Sequence, residues 1–272
     1  MSSKFDGEPN DGLHVLKDKW CQKRYFGEQS KILCDQFDVA FKATQEGAPK
    51  RSQGYALGRS ATVEIDKTER ERRWERAVFE RWRSSGLSPV KNCWDRIVAF
   101  QIPLFDQQEK GGWGYIDLLG ILGRDVCVVE LKKEPATKRS GGTDSSESPL
   151  RMVLEAAAYA IALRVNWQQF REELVAHMLT LGKDASSCGN LPEDAPSIRL
   201  VGAAPAAYWI DWLPVTKKGS EVAPDDWRCF QTLLEKFKDA CMPVSFVSIS
   251  GDIEVPGSLA GQPLPKFPLI VG

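Results

Sequence analysis

Two acids and a lysine recur within a short interval in the middle of the chain: Asp117 near the start of the segment 112–132, GWGYIDLLGILGRDVCVVELK, and Glu130 and Lys132 at its end. Paired carboxylates beside an amine support one kind of chemistry particularly well. Mg²⁺ takes hard oxygen ligands and is commonly held by one or two carboxylates plus waters and substrate phosphates. The amine beside it can orient or deprotonate an attacking water, or offset charge developing on a phosphate. Both tasks need the three side chains at one spot, although twelve residues separate Asp117 from Glu130.

A hairpin would bring them there. Residues 118–122 and 126–131 are apolar runs rich in β-branched and aliphatic side chains, and Gly123-Arg124-Asp125 between them has the composition of a short turn. With Gly123 and Arg124 as the turn residues, antiparallel pairing sets Asp117 opposite Glu130, within cross-strand reach. Alternation along a strand puts Glu130 and Lys132 on one face. Two carboxylates beside an apolar sheet resist being ionised together, and a divalent cation removes that conflict. The competing interpretation is an exposed hairpin whose Asp, Glu and Lys face water, with a surface ion pair worth little.

Asp117 followed by Glu130-Leu131-Lys132 resembles the D…ExK core of the PD-(D/E)xK nuclease superfamily, the fold of many restriction endonucleases, junction resolvases and exonucleases. The resemblance spans residues 68–203, and Ile116 stands where the proline that names the motif would be, as in the many members that lack it. It implies an α/β fold with a restriction-endonuclease-like core, a mixed central β-sheet flanked by helices, and N- and C-terminal extensions. It implies a metal-dependent nuclease that hydrolyses phosphodiester bonds, in DNA ahead of RNA, through a metal-activated water, leaving 5′-phosphate and 3′-hydroxyl ends. In that scheme Asp117 and Glu130 hold Mg²⁺ or Mn²⁺, the carbonyl of Leu131 is a further ligand, and Lys132 positions or activates the water. The alternative is a catalytically inactive nuclease-like module that binds or assembles within a larger nucleic-acid-processing or defence complex.

The flanking elements follow the core order of that superfamily: helix, strand, hairpin, helix, strand. Residues 68–84, TERERRWERAVFERWRS, predict a helix with a capping box from Thr68 to Glu71 and an apolar stripe through Trp74, Val78 and Trp82. The first core helix of the superfamily often donates a glutamate to the metal site; Glu75 fits that pattern better than Glu71, and Glu–Arg pairing on a solvated face is the competing use of either. Residues 96–105 predict a strand, with its proline suited to a strand end. Residues 133–148 predict a polar loop in which Lys133, Lys138 and Arg139 can meet backbone phosphates. Residues 148–181 predict one long helix on which Arg151, Glu155 and Tyr159 form a stripe. Arg151 is a candidate phosphate contact and Tyr159 a candidate orienter; a salt bridge and a half-buried tyrosine are the plainer alternatives. Residues 198–203 predict the fourth core strand. Beyond it, a helix near 226–240 and a strand at 244–249 extend the sheet. Trp209 and Trp212 are candidates for base stacking, with packing as the more ordinary use.

Composition bounds the rest. The chain has 272 residues, enough for one large domain with an appended part. The division expected is an N-terminal helical accessory segment, 1–60, with helical spacing over 13–26 and 30–44, and a nuclease-like domain with its C-terminal extension over 61–272. A formal net charge of −1 is not that of a nonspecific polyanion binder, so a nucleic-acid surface must be a local patch. The odd number of cysteines, with no CxxC, points to reduced thiols. With no apolar signal core and no run of membrane-spanning length, a cytoplasmic protein without a membrane partner is expected, alone or as a homo-oligomer or part of a larger complex. Only two histidines, His14 and His177, disfavour a His-based zinc site, and no P-loop, GxGxxG or GxSxG occurs.

Overall fold

The turn that closes the central hairpin is Gly123-Arg124. Gly123 has φ +58, a conformation glycine reaches without a Cβ clash, and Leu122 pairs with Asp125 across it. The computed structural model describes residues 8–19, 26–55, 57–58, 70–83, 89–105, 113–132, 148–181, 191–194, 196–212 and 224–264. From the turn, β2 (Tyr115–Leu122) and β3 (Asp125–Leu131) run antiparallel with Leu118 against Val129 and Gly120 against Cys127. That is the register expected from a two-residue turn, and pairing ends at Leu118 and Val129, one step short of Asp117 and Glu130.

Around the hairpin the sheet grows to six strands in sequence order. β1 (Arg96–Pro103) lies antiparallel outside β2, and Pro103, which cannot donate to the ladder, ends it. On the other side β4 (Ile198–Pro205) and β5 (Val244–Ser250) are parallel to β3, and β6 (Ala260–Pro263) returns antiparallel. β3 is therefore a central strand covered on both faces, which explains a nearly continuous apolar sequence. Glu130 is the exception in that run.

Helices cover both faces. On one lies α4 (Arg70–Trp82), an amphipathic helix whose Trp74, Val78 and Trp82 join Ile97, Phe100, Leu118 and Val129 in one core. The predicted helix 68–84 agrees with it over the described residues. On the opposite face α5 (Pro149–Val165) is apolar on nearly every side and buried along its length, the pattern of a helix enclosed by other elements. Ser148 caps it by accepting a hydrogen bond from the Arg151 amide at 3.1 Å. Gly202 of β4 lets α5 approach closely: a Cβ there would fall 2.1 Å from the Met152 sulfur.

The long helix expected over 148–181 is two helices. Asn166, at φ −108 and ψ 24, divides α5 from α6 (Trp167–Thr180), and its side-chain amide donates to the carbonyls of Pro49 at 2.9 Å and Ala162 at 2.8 Å. A side chain that competes with backbone donors for nearby carbonyls favours such a break. The helical span expected at 30–44 is likewise divided, at Gln36, into α2 (Phe26–Asp35) and α3 (Phe37–Gly47), with α1 (Leu13–Lys19) before them. These three pack in the same core as α5 rather than apart from it. After β4 come α7 (Ala206–Trp212), which the sequence did not suggest, and α8 (Pro224–Asp239), which packs on α2. Trp209 and Trp212 are each 1 % exposed, so their rings fill the core and do not stack on bases. Among the described residues no helix is long and apolar enough to cross a membrane.

Candidate active site

Along β3, Val126 and Val128 belong to the core under α5, and Cys127, Val129 and Leu131 to the core under α4. Alternation then directs Glu130 and Lys132 toward α5. There they meet Glu155, the one acid in an otherwise apolar stretch of that helix. Glu130, Lys132 and Glu155 are 4 %, 6 % and 4 % exposed, which excludes a hairpin whose charges face water.

Burial of three charges requires that each be engaged. The Lys132 ammonium donates to Glu130 Oε1 at 2.7 Å and to Glu155 Oε2. Arg151, one turn earlier on α5, donates from Nε to Glu155 Oε1 at 3.2 Å. The i, i+4 stripe seen in the sequence therefore includes an Arg151–Glu155 ion pair, and Glu155 carries that stripe into the site. One atom stays unmatched: Glu130 Oε2 is buried with no hydrogen-bond partner among the described residues.

Asp117 enters from β2. Strand pairing with β3 ends at Leu118 and Val129, and one residue further the Asp117 carboxylate takes the place of a ladder carbonyl, its Oδ2 accepting from the Leu131 amide at 2.8 Å. Its charge acts on Glu130. Burial, then the negative charges of Asp117 and Glu155, push the Glu130 carboxyl well above the usual carboxylate range; Lys132 offsets this only in part, and a hydrogen bond with Glu155 adds to the rise. The Glu130 oxygen that lacks a donor when both groups are ionised therefore shares a proton with Glu155 when Glu130 is protonated. Tyr159, a further turn along α5, is raised in the same way by burial and by Glu130, Glu155 and Asp117. Its hydroxyl lies beside Gly114, where a Cβ would come within 2.8 Å of it. Asp117, Glu130, Lys132, Glu155 and Tyr159 thus share one electrostatic environment at the end of the hairpin.

Glu75 approaches from the other face. It is 2 % exposed on α4, and Gln101 of β1 donates to its Oε2. Gln101 has φ +52, rare for a residue with a side chain. Its neighbours show what this achieves: Phe100 faces α4 and Ile102 faces α5, and Gln101, between them, reaches α4. The register Phe100–Leu118 and Ile102–Ile116 places Gln101 across from Asp117. Glu75 therefore bonds to the strand that neighbours Asp117, on the α4 face, and it is not among the charges that act on Glu130. No sequence signal marked Gln101, because its role comes from a local reversal of strand alternation. Glu155 was visible as a helix position, but its pairing with Lys132 depends on how close α5 sits to β3. Lys133, Lys138, Arg139 and the side chain of Glu71 lie outside the described residues.

Among the described residues no group of three or more His, Cys, Asp or Glu side chains is disposed to hold a metal ion. The donor set instead fits the sparser mode of Mg²⁺ or Mn²⁺, in which two carboxylates are joined by waters and substrate oxygens. Asp117 and Glu130 are the candidates, and the unmatched Glu130 oxygen is the atom such an ion would satisfy. Comparison with family models, with curated proteins and with solved structures finds no match.

Proposed function

We propose that this protein is a metal-dependent nuclease of the PD-(D/E)xK kind, hydrolysing phosphodiester bonds in nucleic acid, DNA ahead of RNA. The reading is carried by one observation: a buried, unmatched carboxylate oxygen on Glu130, among further acids and beside a lysine fixed by two hydrogen bonds. An apolar core has no use for that arrangement, and a cation-dependent reaction does. The order of α4, β1, the β2–β3 hairpin, α5 and β4 supports it, since with α6 inserted between α5 and β4 it otherwise follows the superfamily's core order.

In the mechanism Asp117 and Glu130, with the Leu131 carbonyl, would hold Mg²⁺ or Mn²⁺, which would supply Lewis acidity toward a phosphate oxygen and make a coordinated water more acidic. Lys132, held by Glu130 and Glu155, presents a fixed positive charge to the attacking water and the phosphate. Glu155, with Arg151 behind it, keeps that ammonium in place. Arg151, with about a fifth of its side chain exposed, borders the substrate phosphates; Tyr159 orients groups in the site; Lys133 is a further phosphate contact by its position in sequence. By the resemblance, Glu75 would complete the metal shell or hold a second ion. By the resemblance, in-line attack of water on phosphorus would break the P–O3′ bond as the departing O3′ takes up a proton, leaving 5′-phosphate and 3′-hydroxyl ends. A cytoplasmic setting supplies both the ion and the nucleic acid.

The purified chain in Mg²⁺ or Mn²⁺ is expected to cleave a polynucleotide, and Lys132→Ala to reduce cleavage by about a hundredfold or more. Because removing Lys132 leaves two buried carboxylates uncompensated, Lys132→Gln serves as a second variant, with circular dichroism to confirm folding. Cleavage unchanged in a folded variant removes Lys132 from the mechanism. A second reading, an inactive nuclease-like module in a larger assembly, is favoured by the Glu130–Lys132–Glu155–Arg151 chain, which engages the lysine without a metal. Calorimetric titration separates the two: heat of Mn²⁺ binding that Asp117→Asn abolishes supports the enzyme, and absence of binding supports the module.

A further inference from the structure

Tyr115 is the one aromatic residue among the described residues that is exposed, at 42 %, while the other rings fill the two cores or lie partly buried against them. Its position is specific. It lies two residues before Asp117 on β2, roughly 7 Å along the strand. It is adjacent to Gly114, against which the Tyr159 hydroxyl rests.

Tyr115 is also braced. Phe105 meets it edge to face, with centroids 5.3 Å apart and planes at 79°, a contact that engages at most one face of the tyrosine ring. Phe105 packs on the core that contains Tyr159. Its carbonyl accepts from Arg51 Nη1 at 2.8 Å, as does that of Pro103 at 3.0 Å, so the backbone beneath the pair is tied down from a separate segment. An aromatic ring held out to solvent forgoes the burial that its apolar surface favours, and this one does so two residues from Asp117.

We infer that Tyr115 is a stacking platform for an unpaired base next to the phosphate to be cleaved, and that the preferred substrate is single-stranded or frayed nucleic acid. This rests on the nuclease reading and adds the substrate class. Every base presents a π-face to such a ring, so stacking is tolerant of sequence. A base inside an intact duplex is already stacked on its neighbours and cannot reach a ring this close to its own backbone. The near-neutral net charge agrees with a surface that gains affinity from stacking rather than from a broad basic groove.

The test uses the full chain in Ca²⁺, with an oligonucleotide carrying 2-aminopurine, as a single strand and as a blunt duplex of the same sequence. The single strand is expected to bind more tightly, with its fluorescence quenched. Tyr115→Ala should weaken that binding roughly tenfold or more and remove the quench, and Tyr115→Trp should restore both. Equal binding of single strand by wild type and Tyr115→Ala, preference for the duplex, or binding of neither overturns the inference. Cleavage in Mg²⁺ distinguishes the two ideas: duplex cleavage that is sensitive to Lys132 and insensitive to Tyr115 leaves the nuclease standing and removes the platform, and strand binding through Tyr115 without cleavage by any divalent ion does the reverse.

Discussion

Glu130 is the residue at which burial and charge conflict, and under the proposed mechanism function is set against stability there. Its carboxyl is raised first by burial and then by Asp117 and Glu155, so the folded chain holds a proton there that the unfolded chain releases. The sign follows from linkage: the stability this provides is complete below the unfolded carboxylate range and is lost as pH rises through the folded value. At neutral pH an ionised Glu130 therefore weighs against folding. Glu130→Gln, neutral and of the same shape, is expected to raise the melting temperature in metal-free buffer near neutral pH, by roughly 2–4 °C for each kcal/mol of repulsion removed. The difference should shrink toward about pH 4. Mg²⁺ or Mn²⁺ should then stabilise wild type and not the variant, as binding to the native state alone requires. Differential scanning calorimetry measures all three, and a variant that melts lower at neutral pH contradicts the account.

At the scale of elements, the site depends on how near α5 comes to the sheet. β3 supplies Glu130 and Lys132, α5 supplies Glu155 and Tyr159, and Gly202 opposite Glu130 on β4 permits the approach. Gly202→Ala would place a methyl group against the Met152 sulfur and the Phe246 ring. Overpacking of this kind costs about 1–3 kcal/mol, and here it also moves Glu155 away from Lys132. Chemical denaturation is expected to show that loss, with cleavage falling further than the loss of folded protein explains. β1 contributes in a second way. A single left-handed residue, Gln101, turns a side chain toward α4 and ties Glu75 to the strand that faces Asp117.

At the scale of the molecule, one six-stranded sheet separates two apolar cores, and both contain cysteine-bearing or aromatic strands that water does not reach. Burial pushes the Cys93 thiol up to about 12, with Arg199 and a hydrogen bond to Ser245 opposing it, and pushes Cys127 up as well. Both thiols should resist iodoacetamide in the native protein at about pH 8–9, where an ordinary thiol is largely reactive, whereas exposed Cys241 should react. Mass spectrometry of the alkylated chain checks this. The same shifts set an alkaline limit: the contribution is intact below the free-thiol value of 9.0 and is lost as pH rises through the folded value of about 12.

The sequence by itself determined the hairpin, its register and the face shared by Glu130 and Lys132, because a two-residue turn and strict alternation are local rules that the pattern of apolar residues states directly. It determined α4, the strands that frame the hairpin and the broad apolar face of α5 for the same reason, and the burial of α5 along nearly its whole length came only from the structure. Only the tertiary structure decided that Lys132 is held by Glu155 as well as Glu130, that Gln101 bridges to Glu75, that α5 and α6 part at Asn166, and that Trp209 and Trp212 are core. Each of these depends on the distance between elements remote in sequence, or on one residue leaving the regular conformation of its element, and neither is encoded in periodicity.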